Sequence, residues 1–149
     1  MIEAVGPDAA ESMAALHSQA FPRAWTANEI AKLLENSAVF AMLSRSVEPQ
    51  GFAMGWAAAG DAELLTVAVA PQARRRGVGA SLVTAIGVAA LVRGAASMHL
   101  EVAEDNEPAR ALYLKLGYEE AGRRHAYYAG ESASIDAIVM RRKLPRPIV

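Results

Sequence analysis

Residues 64–80 read LLTVAVAPQARRRGVGA, the stretch from which the fold is best approached. Its first six residues are apolar on both faces of an extended chain, which is typical of a central strand covered on both sides, and Pro71 ends that strand. Gly77 and Gly79 then open a segment with helical periodicity. Glycines at a helix start let backbone N–H groups approach an anion closely, and the helix dipole adds about half a positive charge there. With three arginines at 74–76, the stretch predicts a strand, a loop and a helix N-terminus suited to a pyrophosphate-sized anion.

Two other phosphate-binding loops compete with this interpretation. A P-loop needs Gly-Lys-Ser/Thr at the helix start, and the sequence has none there. A Rossmann fingerprint needs a third glycine where Leu82 stands, and a tight turn directly after the strand, whereas residues 71–76 make this turn long. Glu101 nevertheless lies on the next predicted strand, where a ribose-binding acid is placed in such folds. A dinucleotide site therefore stays open as a minor alternative.

Composition bounds the class of protein. The chain has 149 residues, 53% of them hydrophobic, with 15 Lys+Arg, 16 Asp+Glu and a net charge of −1. That length suits one domain, residues 1–149, that buries a core without disulfides. Zero cysteine excludes thiolate-bound zinc, iron–sulfur clusters and a cysteine nucleophile, and the near-zero charge argues against nucleic-acid binding. No apolar run reaches the ~18–20 residues of a membrane span and no basic signal peptide is visible, so we expect a cytoplasmic protein with no membrane partner.

Periodicity, turns and caps predict the element order β-α-α-β-β-β-α-β-α-β-β. Thr26 and Glu29 form a capping box for the second helix, Asn106 caps the last helix, and Gly117 ends it. The predicted strands are residues 1–5, 39–43, 52–58, 64–69, 98–103, 118–127 and 135–141, with a helix at 79–92 and turns around 48–51 and 130–132. This order predicts a single α+β domain, with helices layered on a mixed sheet.

Motifs from the middle of the chain onward resemble those of GNAT N-acetyltransferases. Arg74-x-x-Gly77-x-Gly79 after a strand matches that family's acetyl-CoA pyrophosphate loop. The segment that follows is matched by LEV at 100–102, Asn106, ALY at 111–113 and LGY at 116–118. Five further motifs resemble one branch of this family, the bacterial ribosomal-protein-alanine acetyltransferases. They are RR at 123–124, YY at 127–128, DAIVM at 136–140, FP at 21–22 and WT at 25–26. The resemblance implies a single GNAT-like domain, whose mixed, mostly antiparallel sheet of six to seven strands is flanked by about four helices.

A general base and a general acid are also implied by the resemblance. The family's glutamate base falls on Glu101, and its tyrosine acid falls on Tyr113. A fully solvated glutamate is a poor base at neutral pH, so the role requires partial burial or a water relay. A phenol is well matched to protonate a departing thiolate of comparable basicity. The structural alternatives are a solvated strand-end carboxylate and a tyrosine packed in the core.

The resemblance further implies which residues bind the co-substrate and the acceptor. Acetyl-CoA is expected to contact Val67, Ala68, Val69, Arg74, Arg75, Arg76, Gly77, Val78, Gly79, Ala80 and Asn106, and the acceptor is expected to contact Trp25, Tyr127 and Tyr128. The alternatives are core strand residues at 67–69, a helix cap at Asn106 and aromatic packing. No metal site is expected, because His17, His99 and His125 have no ligand spacing. These histidines are assigned no chemical part, except that His99 shares a strand face with Glu101 and could tune it.

The predicted function is acetyl-CoA-dependent transfer of an acetyl group to a protein N-terminus, such as the N-terminal alanine of a small-subunit ribosomal protein. Because the chain has no cysteine, an acetyl-cysteine intermediate is excluded and direct transfer remains. The two residues between Pro22 and Trp25, and Ile135 before Asp136, depart from the branch pattern and bear on the acceptor. The alternatives are acetylation of a small-molecule amine or a lysine, and a non-catalytic acyl-CoA-binding module. We also expect four acidic residues to gather at the end of the site that receives the acceptor amine, opposite the arginines at 74–76. They are Glu101, Glu104, Asp105 and Glu107.

Overall fold

The computed structural model describes residues 1–129 and 134–145, with the side chains of 126–129 and 134 outside that description. The strands are β1 (Ile2–Val5), β2 (Val39–Arg45), β3 (Pro49–Ala58), β4 (Asp61–Val69), β5 (Ser97–Ala103), β6 (Glu119–Ala129) and β7 (Ser134–Lys143). The helices are α1 (Ala10–Ala20), α2 (Ala27–Leu34), α3 (Val78–Val92) and α4 (Glu107–Lys115). The strands form one sheet in the order β1-β2-β3-β4-β5-β7-β6, antiparallel throughout except between β4 and β5. The predicted α+β fold is confirmed.

Strands β4 and β5 are paired at one end only. The register joins Asp61 to Ser97 and ends at Glu63 and His99, after three pairs. Beyond this point Leu64 and residues 66–69 of β4 are paired with β3 but not with β5. The sheet therefore divides in its middle.

A β-bulge lies in β4 just past the last of these pairs. Consecutive residues of β3 pair with Leu64 and Thr66, so Leu65 has no residue opposite it. A bulge interrupts the alternation of side chains and increases the local twist. Leu64 accordingly packs into the core beneath α3, whereas Thr66, two residues further on, contacts His17 of α1 on the other face.

Alternate residues of the central strands enter two cores. Phe40 and Ala53 lie in the core that α3 and α4 cover, whereas Ala41 and Phe52 lie in the core that α1 and α2 cover. Because side chains of a strand point alternately to the two faces, one sheet serves both cores. β4 contacts both α1 and α3, as its apolar sequence predicts.

The predicted caps are present at two helix starts. Thr26 Oγ1 accepts a hydrogen bond from the Glu29 N–H at 3.1 Å, and the Thr26 N–H donates to the Glu29 carboxylate at 3.1 Å. At the start of α4, Asn106 Oδ1 accepts from the Ala109 N–H at 3.3 Å. Gly117, with φ of +96°, follows the end of that helix, as expected of a C-terminal glycine.

Several strand ends differ from the prediction. β3 begins at Pro49 and β4 at Asp61, so the predicted turn at 48–51 is largely strand. Backbone pairing continues through polar residues there, with a register shift next to Ser44, and apolar periodicity cannot detect such pairing. The predicted turn at 130–132 lies outside the described residues. Within the described part, no helix has the length and apolar character needed to cross a bilayer.

Candidate active site

The division of the sheet opens a cleft of about 880 Å³ between β4 and β5. Its walls come from both strands and from α4, and the segment between α1 and α2 forms its rim. Val67, Glu101, Asn106, Tyr113 and Trp25, all predicted from the sequence as site residues, line this one cavity. The volume lies within the range of small-ligand sites.

Glu101 lies on β5 with its side chain 18% exposed. Its carboxylate forms an ion pair with Arg124 of β6, whose Nε lies 2.9 Å away. The partial burial that a glutamate base requires is therefore present. His99, which the sequence suggested could tune Glu101, instead has its Nδ1 3.6 Å from the Asp61 carboxylate and its Nε2 3.8 Å from the Glu63 carboxylate.

Tyr113 lies on α4 and is 6% exposed. Its ring packs edge-to-face against Tyr118, with the ring centroids 6.0 Å apart. Aromatic pairs prefer this arrangement. Tyr113 thus packs in the core and also lines the cleft, as both sequence interpretations require. The hydroxyl of Tyr118 is buried without a hydrogen-bond partner in the described part of the chain. Burial raises the pKa of Tyr118 to about 12, against the opposing effect of Arg142.

Helix α3 begins on a glycine that supplies no cap. Gly77 has φ of +76° and no side-chain hydrogen bond, in contrast to the capped starts of α2 and α4. The first N–H groups of a helix have no acceptor within it, so those of residues 78–80 remain available to an anion. A Cβ built on Gly77 would meet no atom within 4 Å. The space at this helix start is therefore open, which fits the predicted pyrophosphate site.

The end of β4 leads directly to this helix start. Val67, Ala68 and Val69 pair with β3 along one edge, and their other edge faces the gap left by β5. A strand directs its backbone N–H and C=O groups alternately to its two sides. The groups of this segment that point to the cleft therefore have no partner strand. Arg74 Nε donates to the Val69 carbonyl oxygen at 3.2 Å, and Arg75 and Arg76 are exposed. The edge of β4 that β5 leaves unpaired therefore runs from the cleft at Val67 toward the start of α3.

His17 lies at the cleft rim, although sequence reasoning assigned it no part. The residue is 3% exposed, with Nδ1 accepting from the Trp25 N–H at 3.0 Å and Nε2 lying 3.2 Å from Thr66 Oγ1. Its ring stacks on Phe21 and Trp25, with centroids 4.4 and 4.8 Å away. Burial lowers the pKa of His17 from its usual 6.5, and Glu29 opposes this shift. The available signal was the four-residue spacing of His17, Phe21 and Trp25 across the end of α1.

The predicted acceptor tyrosines lie on β6. Tyr128 pairs with Ile135 across the β6–β7 ladder, after a register shift that begins at Arg124. The side chains of Tyr127 and Tyr128 are outside the description, so their contact with an acceptor stays a prediction.

The expected acidic group is interleaved with arginines of β6. Arg123 Nη1 lies 2.9 Å from Glu104 and 2.9 Å from Asp136, and Arg124 pairs with Glu101. Strand pairing therefore brings arginines to two of the four expected acids, Glu101 and Glu104, while Asp105 lines the cleft together with Glu101. Among residues 1–129 and 134–145, no three His, Asp or Glu side chains are grouped so as to hold a metal ion.

Comparison with known proteins identifies the family. Residues 7–118 match the acetyltransferase (GNAT) family. An uncharacterised protein of Mycobacterium leprae is 43% identical over 81 residues, which span 54% of this chain and 21% of that protein. The ribosomal protein bS18 alanine N-acetyltransferase of Escherichia coli K12 is 35% identical over 98 residues, which span 66% of this chain and 66% of that protein. The crystal structure of the ribosomal-protein-S18-alanine N-acetyltransferase from Escherichia coli matches with a TM-score of 0.89 and 25% identity, over 99% of this chain and 95% of that one. The chain belongs to the acetyltransferase (GNAT) family.

Proposed function

We propose that this protein is an acetyl-CoA-dependent N-α-acetyltransferase that acetylates the N-terminal alanine of a small-subunit ribosomal protein in the cytoplasm. The observation that carries the proposal is the cleft where β4 and β5 part. It holds Glu101 and Tyr113 in one cavity, and the unpaired edge of β4 continues from it to the uncapped start of α3. The name of the Escherichia coli relative supports the choice of acceptor.

Acetyl-CoA binding is assigned to backbone groups more than to side chains. The cleft-side edge of residues 67–69 would pair with the amide groups of the pantetheine arm. The N–H groups of residues 78–80, aided by the arginines at 74–76, would bind the pyrophosphate. The Asn106 side chain caps α4, so we assign it a supporting role at the cleft wall.

The proposed reaction is direct transfer. The acceptor nitrogen attacks the thioester carbonyl carbon, so that a C–N bond forms and the C–S bond breaks. Glu101 takes the proton that the amine loses, directly or through water, while Tyr113 gives a proton to the leaving thiolate. Backbone N–H groups of residues 67–69 would stabilise the oxyanion. An α-amine titrates at about 8 and a lysine side chain at about 10.4, which favours an N-terminus over a side chain as the acceptor.

Acceptor choice is tested with peptides of varied N-terminal residue, compared with free polyamines, aminoglycosides and lysine peptides. We expect acetylation of the α-amine of alanine-initiated peptides, measured by mass spectrometry. Turnover of small amines alone would contradict the proposed acceptor. CoA binding without turnover of any amine would favour a non-catalytic acyl-CoA-binding module.

The catalytic assignment is tested by Glu101→Gln. Removing a general base lowers kcat/KM by about 100-fold or more. The matched control is Glu120→Gln, because Glu120 also forms an ion pair with an arginine, at 2.7 Å from Arg110, but does not line the cleft. Equal activity of the two variants would remove Glu101 from the mechanism.

The acid assignment is tested in the same way by Tyr113→Phe. Its control is Tyr118→Phe, which removes the hydroxyl of the neighbouring buried ring. We expect a loss of about 100-fold in kcat for the first variant and near-normal activity for the second. Loss of CoA binding in Tyr113→Phe would instead indicate a binding role.

A further inference from the structure

His17 connects three parts of the molecule that meet at the rim of the cleft. It is on α1, it accepts the backbone N–H of Trp25 in the α1–α2 segment, and it lies 3.2 Å from the Thr66 hydroxyl on β4. Phe21 and Trp25 stack on its ring. Both aromatic residues also line the cleft that holds Glu101. One imidazole therefore orients two aromatic side chains relative to the bulged strand.

The hydrogen bonds define the state of the ring. A nitrogen that accepts from a backbone N–H carries no proton, so Nδ1 is the acceptor and Nε2–H donates to Thr66 Oγ1. This is a neutral imidazole with one tautomer. In the protonated ring both nitrogens are donors, and the Trp25 N–H would then face another N–H. Protonation is therefore incompatible with the contact to Trp25.

We propose that His17 is the positioning residue of the acceptor site, holding Phe21 and Trp25 as one wall while neutral and releasing Trp25 when protonated. The inference rests on the proposed function, since it assumes that the acceptor amine reaches Glu101 past this wall. His17 does not touch the reacting atoms. It acts through Trp25, which is a predicted acceptor-binding residue.

Charged groups from several elements bear on this imidazole. Glu29 of α2 acts on it electrostatically. Arg23 of the α1–α2 segment, Glu101 of β5 and Asp105 line the same cleft. β4 presents the uncharged Thr66. Burial outweighs the effect of Glu29 and lowers the pKa of His17, so the ring is neutral at pH 7. A protonated ring would also place a positive charge beside the entry path of a cationic amine.

The kinetic test compares two substitutions that keep different parts of the imidazole. His17→Phe keeps a stacking ring but loses both hydrogen bonds, whereas His17→Asn keeps an acceptor near the Nδ1 position and cannot titrate. We expect His17→Phe to raise the acceptor-peptide KM about tenfold and to leave the acetyl-CoA KM within about twofold. In the wild type the peptide KM should rise below pH 6.5, as His17 is protonated and releases Trp25. His17→Asn should keep the wild-type peptide KM at neutral pH and should not show this rise. The control is His125→Asn, since His125 is exposed and outside the cleft lining.

A second measurement does not depend on catalysis. In a Trp56→Phe background Trp25 is the single tryptophan, and its stacking on His17 makes its fluorescence a reporter of the ring's charge. We expect one transition below pH 6.5 that disappears in His17→Asn. If this transition is present but no amine is acetylated, the proposed function fails and the link between His17 and Trp25 stands. If acetylation is normal while the transition is absent and both variants keep the wild-type peptide KM, the positioning role is overturned.

Discussion

Replacing Gly77 by alanine separates backbone strain from ligand binding at the start of α3. Gly77 has φ of +76°, and a Cβ there would meet no atom within 4 Å, so the cost is conformational and not steric. An L-residue in the left-handed region costs about 1–2 kcal/mol, which lowers the Tm of a domain of this size by roughly 2–8 °C. Gly60 and Gly94, with φ of +82° and +94° and equally open surroundings, provide matched controls. All three alanine variants should therefore lose similar stability in thermal unfolding.

Only the Gly77 variant should lose affinity for CoA. Relaxation of φ at this position would turn the first N–H groups of α3 away from the pyrophosphate. Loss of one charge-assisted hydrogen bond, worth about 1.5–3 kcal/mol, raises Kd by about tenfold or more. Isothermal titration calorimetry with CoA measures this directly. If Gly77→Ala and Gly94→Ala bind CoA with the same Kd, the start of α3 is not the pyrophosphate site.

Three further perturbations have defined outcomes. Tyr118→Phe should raise the free energy of unfolding in urea by about 1 kcal/mol, because it removes a buried hydroxyl without a partner in the described chain; a destabilised variant would indicate a hydrogen bond that the described contacts lack. Gly51→Ala should lower the free energy of unfolding by roughly 1–3 kcal/mol, since a Cβ would lie 2.8 Å from the Ala68 carbonyl oxygen. An unchanged urea unfolding curve would contradict that clash. As the pH falls below 6.5, unfolded His17 binds a proton more readily than the buried ring does, so stability should decrease by at most about 1.4 kcal/mol per pH unit. Denaturation series between pH 5 and 7.5 should show a smaller decrease in His17→Phe, and identical slopes would contradict the burial effect.

The helix starts were predictable because their signals are local. The capping box of Thr26 and Glu29 and the cap at Asn106 each involve residues three apart in sequence. Glycines at 77 and 117 likewise mark backbone conformations that other residues adopt at a cost. Such features can be recognised from the sequence without knowledge of the tertiary fold.

The division of the sheet was not predictable from the same signals. It depends on where the β4–β5 pairing ends and on the unpaired Leu65, and neither changes the apolar pattern of residues 64–69. The role of His17 was missed for a related reason, since Thr66 lies 49 residues away in sequence. The ion pairs of Arg123 and Arg124 likewise follow from the register of β6, β7 and β5, which composition does not encode.

The early end of the β4–β5 ladder has a consequence for aggregation. Unpaired strand edges normally lie at the border of a sheet, where another chain can add to them. Here a further pair of edges lies in the middle of the sheet, between the α1–α2 segment and α4. That space measures about 880 Å³, which is far smaller than a folded domain but within the range of small-ligand sites. The unpaired backbone N–H and C=O groups of these edges are therefore accessible to a small molecule but not to another folded copy of the chain.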